Sequence, residues 1–298
     1  MQFLVLALLL AAVFGFLAPG IQDRVRGLFR AHPRAVWAAP LVLTAIFGAA
    51  SALAAAYSLP LILTVLIYTS APVACAVLAG SRRIAAIGRG LPWAFDFLAV
   101  LLLWLPLEFA AGAALVPRPA QGFLHSVAYG IAILLGLALF LCYRSLPGMK
   151  YNLPRSVSDL RLPLAAFAIA APVLAALGYA IGFIPPPHLP TAGGARMSTA
   201  AAVIFVGTAL PEEILFRALI QNLLFLRFGA SLRTLLAASL IFGSAHLDNG
   251  PQPLPNWRYM IVATVAGIAY GKVFQKSSTV LSSAVLHTMV DWTKHFFF

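Results

Sequence analysis

Polar residues interrupt the apolar pattern of this chain rarely, and unevenly. Ten apolar runs can be counted, at residues 3–19, 36–56, 59–79, 93–115, 123–142, 162–184, 198–220, 232–247, 258–274 and 278–297. Most are near the roughly 20 residues that carry a helix across a bilayer. The eighth and ninth are short, so the pattern predicts an all-α polytopic bundle of about 8–10 transmembrane helices. Between runs lie short connections. Residues 185–197 hold three consecutive prolines and two glycines, and residues 248–256 run Asp-Asn-Gly-Pro-Gln-Pro-Leu-Pro-Asn. Both compositions form turns and loops. They read as short outer connections, either of which could border a substrate entrance. No repeat of 20–50 residues and no linker between soluble domains is visible.

The charges orient this pattern. With the N-terminus outside, the inner segments hold fifteen Lys and Arg, Arg82, Arg83 and Arg89 among them, against four in the outer segments and at the C-terminal end. That is the asymmetry of the positive-inside rule, and removing one helix would spoil it. The first run has no basic residue before it. Arg24, Arg26, Arg30 and Arg34 follow it instead, which predicts a retained first helix rather than a cleaved signal peptide.

Composition agrees. The 298 residues are 62% hydrophobic and 9% charged, with mean hydropathy +0.94, which marks an integral membrane protein. In a soluble protein the net charge of +12 would suggest nucleic acid. Here topology accounts for the basic residues, so no nucleic-acid partner is expected. Cys75 and Cys142 both fall in apolar runs without a neighbour at metal-ligand spacing, and read as core packing.

Candidate chemistry sits in the last third. Five of the eight acidic residues, Asp96, Glu108, Glu212, Glu213 and Asp291, fall within or at the edge of apolar runs. Ionisable groups at that depth usually face a bundle interior or a watery cavity. Glu213 and Arg217 are four apart, so they share a helix face and can pair. Glu212 lies about 100° round the helix, which leaves it free for a reactive role. A buried ion pair that only locks helices together is the alternative. Pro211 removes a backbone hydrogen bond to Gly207, and a kink is expected there. Phe242 and His246 are also four apart, as are His287 and Asp291. A carboxylate beside a histidine can fix its tautomer.

The familiar hydrolase arrangements do not match. No serine lies in G-x-S-x-G, and no H-E-x-x-H is present. Asp96 and Asp291 lack the flanking pattern of an aspartyl pair. What remains is a glutamate acting as general base on water with histidine, or zinc held by side chains from separate helices.

Together, Glu212-Glu213-x-x-x-Arg217, Phe242-x-x-x-His246 and His287-x-x-x-Asp291 resemble the three-motif signature of the CPBP family. These are the CAAX-prenyl endopeptidases and bacteriocin-processing relatives, glutamate-type intramembrane proteases. The resemblance covers about residues 198–295, so residues 1–195 are expected to be a variable extension of transmembrane helices and 196–298 the catalytic core.

The resemblance implies Glu212 as the base that activates water, His246 as its partner on that water, and His287 with residue 291 as support for the oxyanion. It implies that Glu213 and Arg217 hold the shape of the site, beside Phe242. It further implies a membrane-associated or lipid-proximal protein substrate in the bilayer of a prokaryotic cytoplasmic membrane. No cofactor is expected, with zinc kept open. Many members carry Asn where this chain has Asp291. Either Asp291 is protonated, or it orients His287 as the donor; the second is favoured. A non-catalytic scaffold or immunity protein of the same fold is the competing reading. A transporter would show paired inverted repeats, and here the polar residues lie in one half only.

Overall fold

A helix is the natural way to bury backbone polar groups within an apolar chain, because it pairs them inside one segment. The computed structural model of the chain describes residues 1–80, 90–250 and 253–298, and every one of the ten apolar runs is helical in it. No strand occurs among the described residues. Arg82, Arg83 and Arg89, and Pro251 and Gln252 of the second proline-rich connection, lie outside the described residues.

Two compact units are present, Met1–Gly148 and Met149–Phe298. The first holds α1 (Gln2–Gly15), α2 (Pro19–Ala31), α3 (Ala38–Leu53), α4 (Leu59–Gly80), α5 (Gly90–Glu108) and α6 (Arg118–Gly136). The first apolar run differs from a straight span. Only α1 is apolar, and α2 turns away from it by 85°. The turn follows Ala18, where Pro19 opens the new helix, as suits a residue with fixed φ and no N–H. α2 then carries Arg24, Arg26 and Arg30 on an amphipathic helix. Cys75 and Cys142 are free and buried. Asp96 of α5 is fully buried but paired, accepting from Arg144 Nε at 2.7 Å and Nη2 at 2.8 Å.

The second unit holds α7 (Ser158–Ala180), α8 (Gly194–Ile204), α9 (Leu210–Glu213), α10 (Asn222–Phe228), α11 (Leu232–Ser244), α12 (Trp257–Lys276) and α13 (Val280–Phe297). α8, α9 and α10 are parts of one helical rod. Wider π-helical turns, Phe205–Ala209 and Ile214–Gln221, join them, and the joining residues keep right-handed helical dihedrals. Pro211 cannot donate to the residue four before it, and the wide turn Phe205–Ala209 lies immediately ahead of α9. Such π segments recur at functional sites.

α11 and α12 pack backbone to backbone. A Cβ on Gly243 would strike Thr264 Oγ1 and sit 2.7 Å from the Met260 carbonyl. A Cβ on Gly271 would lie 2.5 Å from both Gln221 and Leu235. Small residues at such crossings let membrane helices approach closely.

The start of this unit clamps the α12–α13 turn. Lys150 Nζ donates to the carbonyls of Phe274, Gln275 and Ser277 at 2.7, 3.1 and 2.9 Å. These are orphan groups at a helix C-terminus, where a cation is favourable. Asp159 accepts from Ser278 N at 2.7 Å and Ser278 Oγ at 2.6 Å, and from the amides of Arg155 and Ser156. Thr279 Oγ1 donates to the Asn152 carbonyl. α13 therefore starts from a fixed point.

Among the described residues, five helices are long and apolar enough to cross a membrane: residues 33–53, α4, α5, residues 118–143 and α7; α1 with α2 makes a bent sixth. The helices bearing the motifs fall outside that test because they are polar or short. α11 has 13 residues, and α13 carries Asp291 and Lys294 within its 18.

Candidate active site

The three motifs converge in the second unit. Glu212 and Glu213 come from α9, and Arg217 from the π turn after it. Phe242 is on α11, and His246 lies just past its end, where the helix closes on Ala245. His287 and Asp291 stand on one face of α13.

Glu213 is at the centre. Its side chain is fully buried, and Arg217 Nε donates to Oε2 at 3.2 Å, also fully buried. Oε1 of the same carboxylate lies 3.1 Å from His287 Nδ1. The i,i+4 pair foreseen between Glu213 and Arg217 therefore exists, with His287 as a third member. Arg217 Nη1 and Nη2 make no hydrogen bond among the described residues. The guanidinium instead lies over Phe242, 4.6 Å from its ring centre, and 5.8 Å from that of Tyr270. An aromatic face attracts a cation, more so when it is desolvated.

The other ring nitrogen of His287 faces the two remaining acids. Nε2 is 3.4 Å from Asp291 Oδ2 and 3.9 Å from Glu212 Oε2. The side chains of Asp291 and Glu212 are 30% and 20% exposed, whereas those of Glu213 and Arg217 are sealed. The two adjacent glutamates thus approach one imidazole from different sides, Glu213 fully buried and Glu212 20% exposed, with the Glu212 Oε2 nearest the ring itself buried; the 100° offset between them allows this.

His246 is buried, and its Nδ1 lies 2.9 Å from the Phe242 carbonyl. A carbonyl oxygen only accepts, so Nδ1 carries the proton and Nε2 keeps its lone pair in the neutral ring. The imidazole packs edge-on against Phe242 at 4.9 Å and Tyr259 at 4.5 Å. Phe242 also meets Phe216, Tyr270 and His287, with centroids 5.0, 6.0 and 5.8 Å away. It is the hub of the site's apolar wall.

Sequence reasoning missed three residues here. Tyr270 stacks on His287 at 4.5 Å with a 21° interplanar angle. Tyr259 flanks His246. Lys294 Nζ lies 4.3 Å from the Tyr259 ring centre and 4.6 Å from that of Phe183. A signal existed. Tyr259 and Tyr270 are eleven apart, so they fall within about 20° of each other on a helix. Lys294 is seven beyond His287, again on one stripe. Among the described residues no three His, Cys, Asp or Glu side chains converge to hold a metal ion. Asp96 and Glu108, the other acidic residues of the apolar runs, belong to the first unit. Asp96 is paired there with Arg144, and Glu108 Oε2 accepts from Trp104 Nε1 at 2.8 Å.

No curated protein and no solved structure matches the chain. A protein-family model does: residues 195–293 match the family described as type II CAAX prenyl endopeptidase Rce1-like. Glu212, Glu213, Arg217, Phe242, His246, His287 and Asp291 all lie inside the matched region. Over this last third the chain is therefore similar to the CAAX prenyl endopeptidases of the CPBP family, the family that its three motifs resemble.

Proposed function

We propose that this integral membrane protein is an intramembrane endopeptidase of the glutamate type. It would cut a membrane-associated or lipid-proximal protein. The observation that carries this reading is the division between the two glutamates. Glu213 is sealed against Arg217, while Glu212 is partly open and shares His287 Nε2 with Asp291.

In this reading Glu212 takes a proton from a water held against His246 Nε2, and the hydroxide attacks the scissile carbonyl carbon. With a proton on each nitrogen, His287 donates to Glu213 from Nδ1, and its single Nε2–H turns from Asp291 to the developing oxyanion. Asp291, 3.4 Å from that nitrogen, orients the ring. A donor fixed in a water-poor site is worth more than one in water. The tetrahedral intermediate collapses, the C–N bond breaks, and the proton held by Glu212 or His246 passes to the leaving amine. The phenol ring stacked on His287 and the Phe242 wall keep the imidazole in place. The catalytic core is taken as 196–298 and the helices of 1–195 as an extension. The N-terminus is taken as outside, in a prokaryotic cytoplasmic membrane, from the excess of basic residues on the inner side.

The test compares membrane proteomes of cells carrying the wild-type chain and Glu212→Gln, with new protein termini mapped by mass spectrometry. Glutamine keeps the shape but cannot act as base. Loss of general-base catalysis costs about 10²–10⁴-fold in rate, so a defined set of termini should vanish while the variant accumulates in the membrane. Unchanged termini would sink the protease reading and favour a non-catalytic scaffold. Termini that also vanish on chelation of the wild-type protein would favour zinc.

A further inference from the structure

α7 is the least covered of the five spans. Only 17% of its apolar window is buried in the protein. It runs antiparallel to α12. Its first turn meets the end of α12 through Asp159 and Ser278, and its last meets the start of α12 through Gly182 and Arg258, whose Nη1 donates to the Gly182 carbonyl at 3.2 Å. Between the two helices lies an open groove of about 420 Å³. Its walls are apolar, with Ala165, Ile169 and Val173 from α7 and Val265 and Ile268 from α12. Ile169 is 71% and Val173 51% exposed. At one end only, the lining turns basic, with Lys272 and Lys276. These are four apart on one face of α12, both exposed, and neither forms an ion pair among the described residues.

The geometry points to a binding site for one anionic phospholipid, with an acyl chain along the α7–α12 groove and its phosphate on Lys272 and Lys276. The span sets the level. The lysines lie beside the first turns of α7, the end of a membrane-crossing helix, where a headgroup sits. An apolar groove ending in paired cations matches the two halves of such a lipid. Basic pockets between membrane helices recognise headgroups in this way. The α12 carbonyls near Lys276 are occupied by Lys150, which lessens their repulsion of an anion. The site is separate from the motif residues and independent of the proposed proteolysis.

The test uses the full chain in neutral detergent, with lipid binding read by native mass spectrometry. Titrants are phosphatidylglycerol, phosphatidylcholine of the same acyl chains, and inorganic phosphate. Phosphatidylglycerol should bind tighter than phosphatidylcholine. Taking about 1 kcal/mol per surface lysine, Lys272→Gln with Lys276→Gln should weaken phosphatidylglycerol about thirtyfold and phosphatidylcholine, whose choline offsets the phosphate charge, much less. Ala269→Trp, which fills the groove, should weaken both lipids. The variants replace exposed residues or fill an open groove, and an unchanged melting temperature confirms that they fold. Equal affinity for the two lipids, or full phosphatidylglycerol binding by the double variant, would overturn the site. So would displacement of phosphatidylglycerol by phosphate at comparable concentration, which would mean a free-anion site.

Discussion

Glu213 Oε1 lies 3.1 Å from His287 Nδ1, and this contact joins the first motif to the third. One buried carboxylate serves two helices, because its other oxygen takes Arg217 Nε at 3.2 Å. The residue before it, Glu212, reaches the opposite nitrogen of the same ring at 3.9 Å. Adjacent identical side chains are thus given different environments by the turn of a helix. Glu213 is sealed against Arg217, and Glu212 is partly exposed.

That difference should separate the two residues in experiment. Removing one member of a buried ion pair leaves an uncompensated charge, at a cost of about 3–5 kcal/mol. Glu213→Gln and Arg217→Met should each lower the melting temperature of the detergent-solubilised protein sharply. The double variant, which removes both charges of the pair, should recover part of the loss. Glu212→Gln should melt close to wild type. If Glu213→Gln melts like wild type, Glu213 is not the keystone described.

The clamp on the α12–α13 turn should matter for stability without touching the reaction directly. Asp159 accepts from Ser278 N and Oγ and from the Arg155 and Ser156 amides. At about 1 kcal/mol per lost hydrogen bond, Asp159→Ala should cost about 4 kcal/mol. Limited proteolysis should then open the segment around residues 150–159 before any other. A variant as protease-resistant as wild type would show that the clamp contributes nothing.

Much of this architecture was legible because bilayer physics is strict. Every apolar run became a helix, and the i,i+4 spacing of Glu213 and Arg217 translated into contact. The bend between α1 and α2 was hidden because Pro19 and Gly20 sit at the edge of an apolar run, where a stop and a turn look alike. The π turns around Glu212 leave no periodic mark in so short a stretch; Pro211 alone hinted at irregular backbone. Tyr259 and Tyr270 were overlooked because aromatic residues in apolar helices are ordinary packing. Only the fold brings their stripe against His246 and His287. The Lys150 clamp joins residues more than 120 apart, which no local pattern encodes.

Asp291 tests the mechanism most directly. Its Oδ2 is 3.4 Å from His287 Nε2, and its proposed role is to orient that ring. Asn offers a carbonyl oxygen at the same position, so Asp291→Asn should keep cleavage within about tenfold of wild type, the loss expected when a charged acceptor becomes a neutral one. Leu offers none, and Asp291→Leu should lose about 10²–10³-fold in kcat, the scale for a disabled oxyanion donor, with KM little changed. The measurement is turnover of a cleaved segment identified from the terminus map, presented in liposomes. If Asn is as inactive as Leu, the negative charge itself is required and the orienting role is wrong. If Leu retains full turnover, His287 needs no help from Asp291, and Glu213 and Tyr270 alone fix the imidazole.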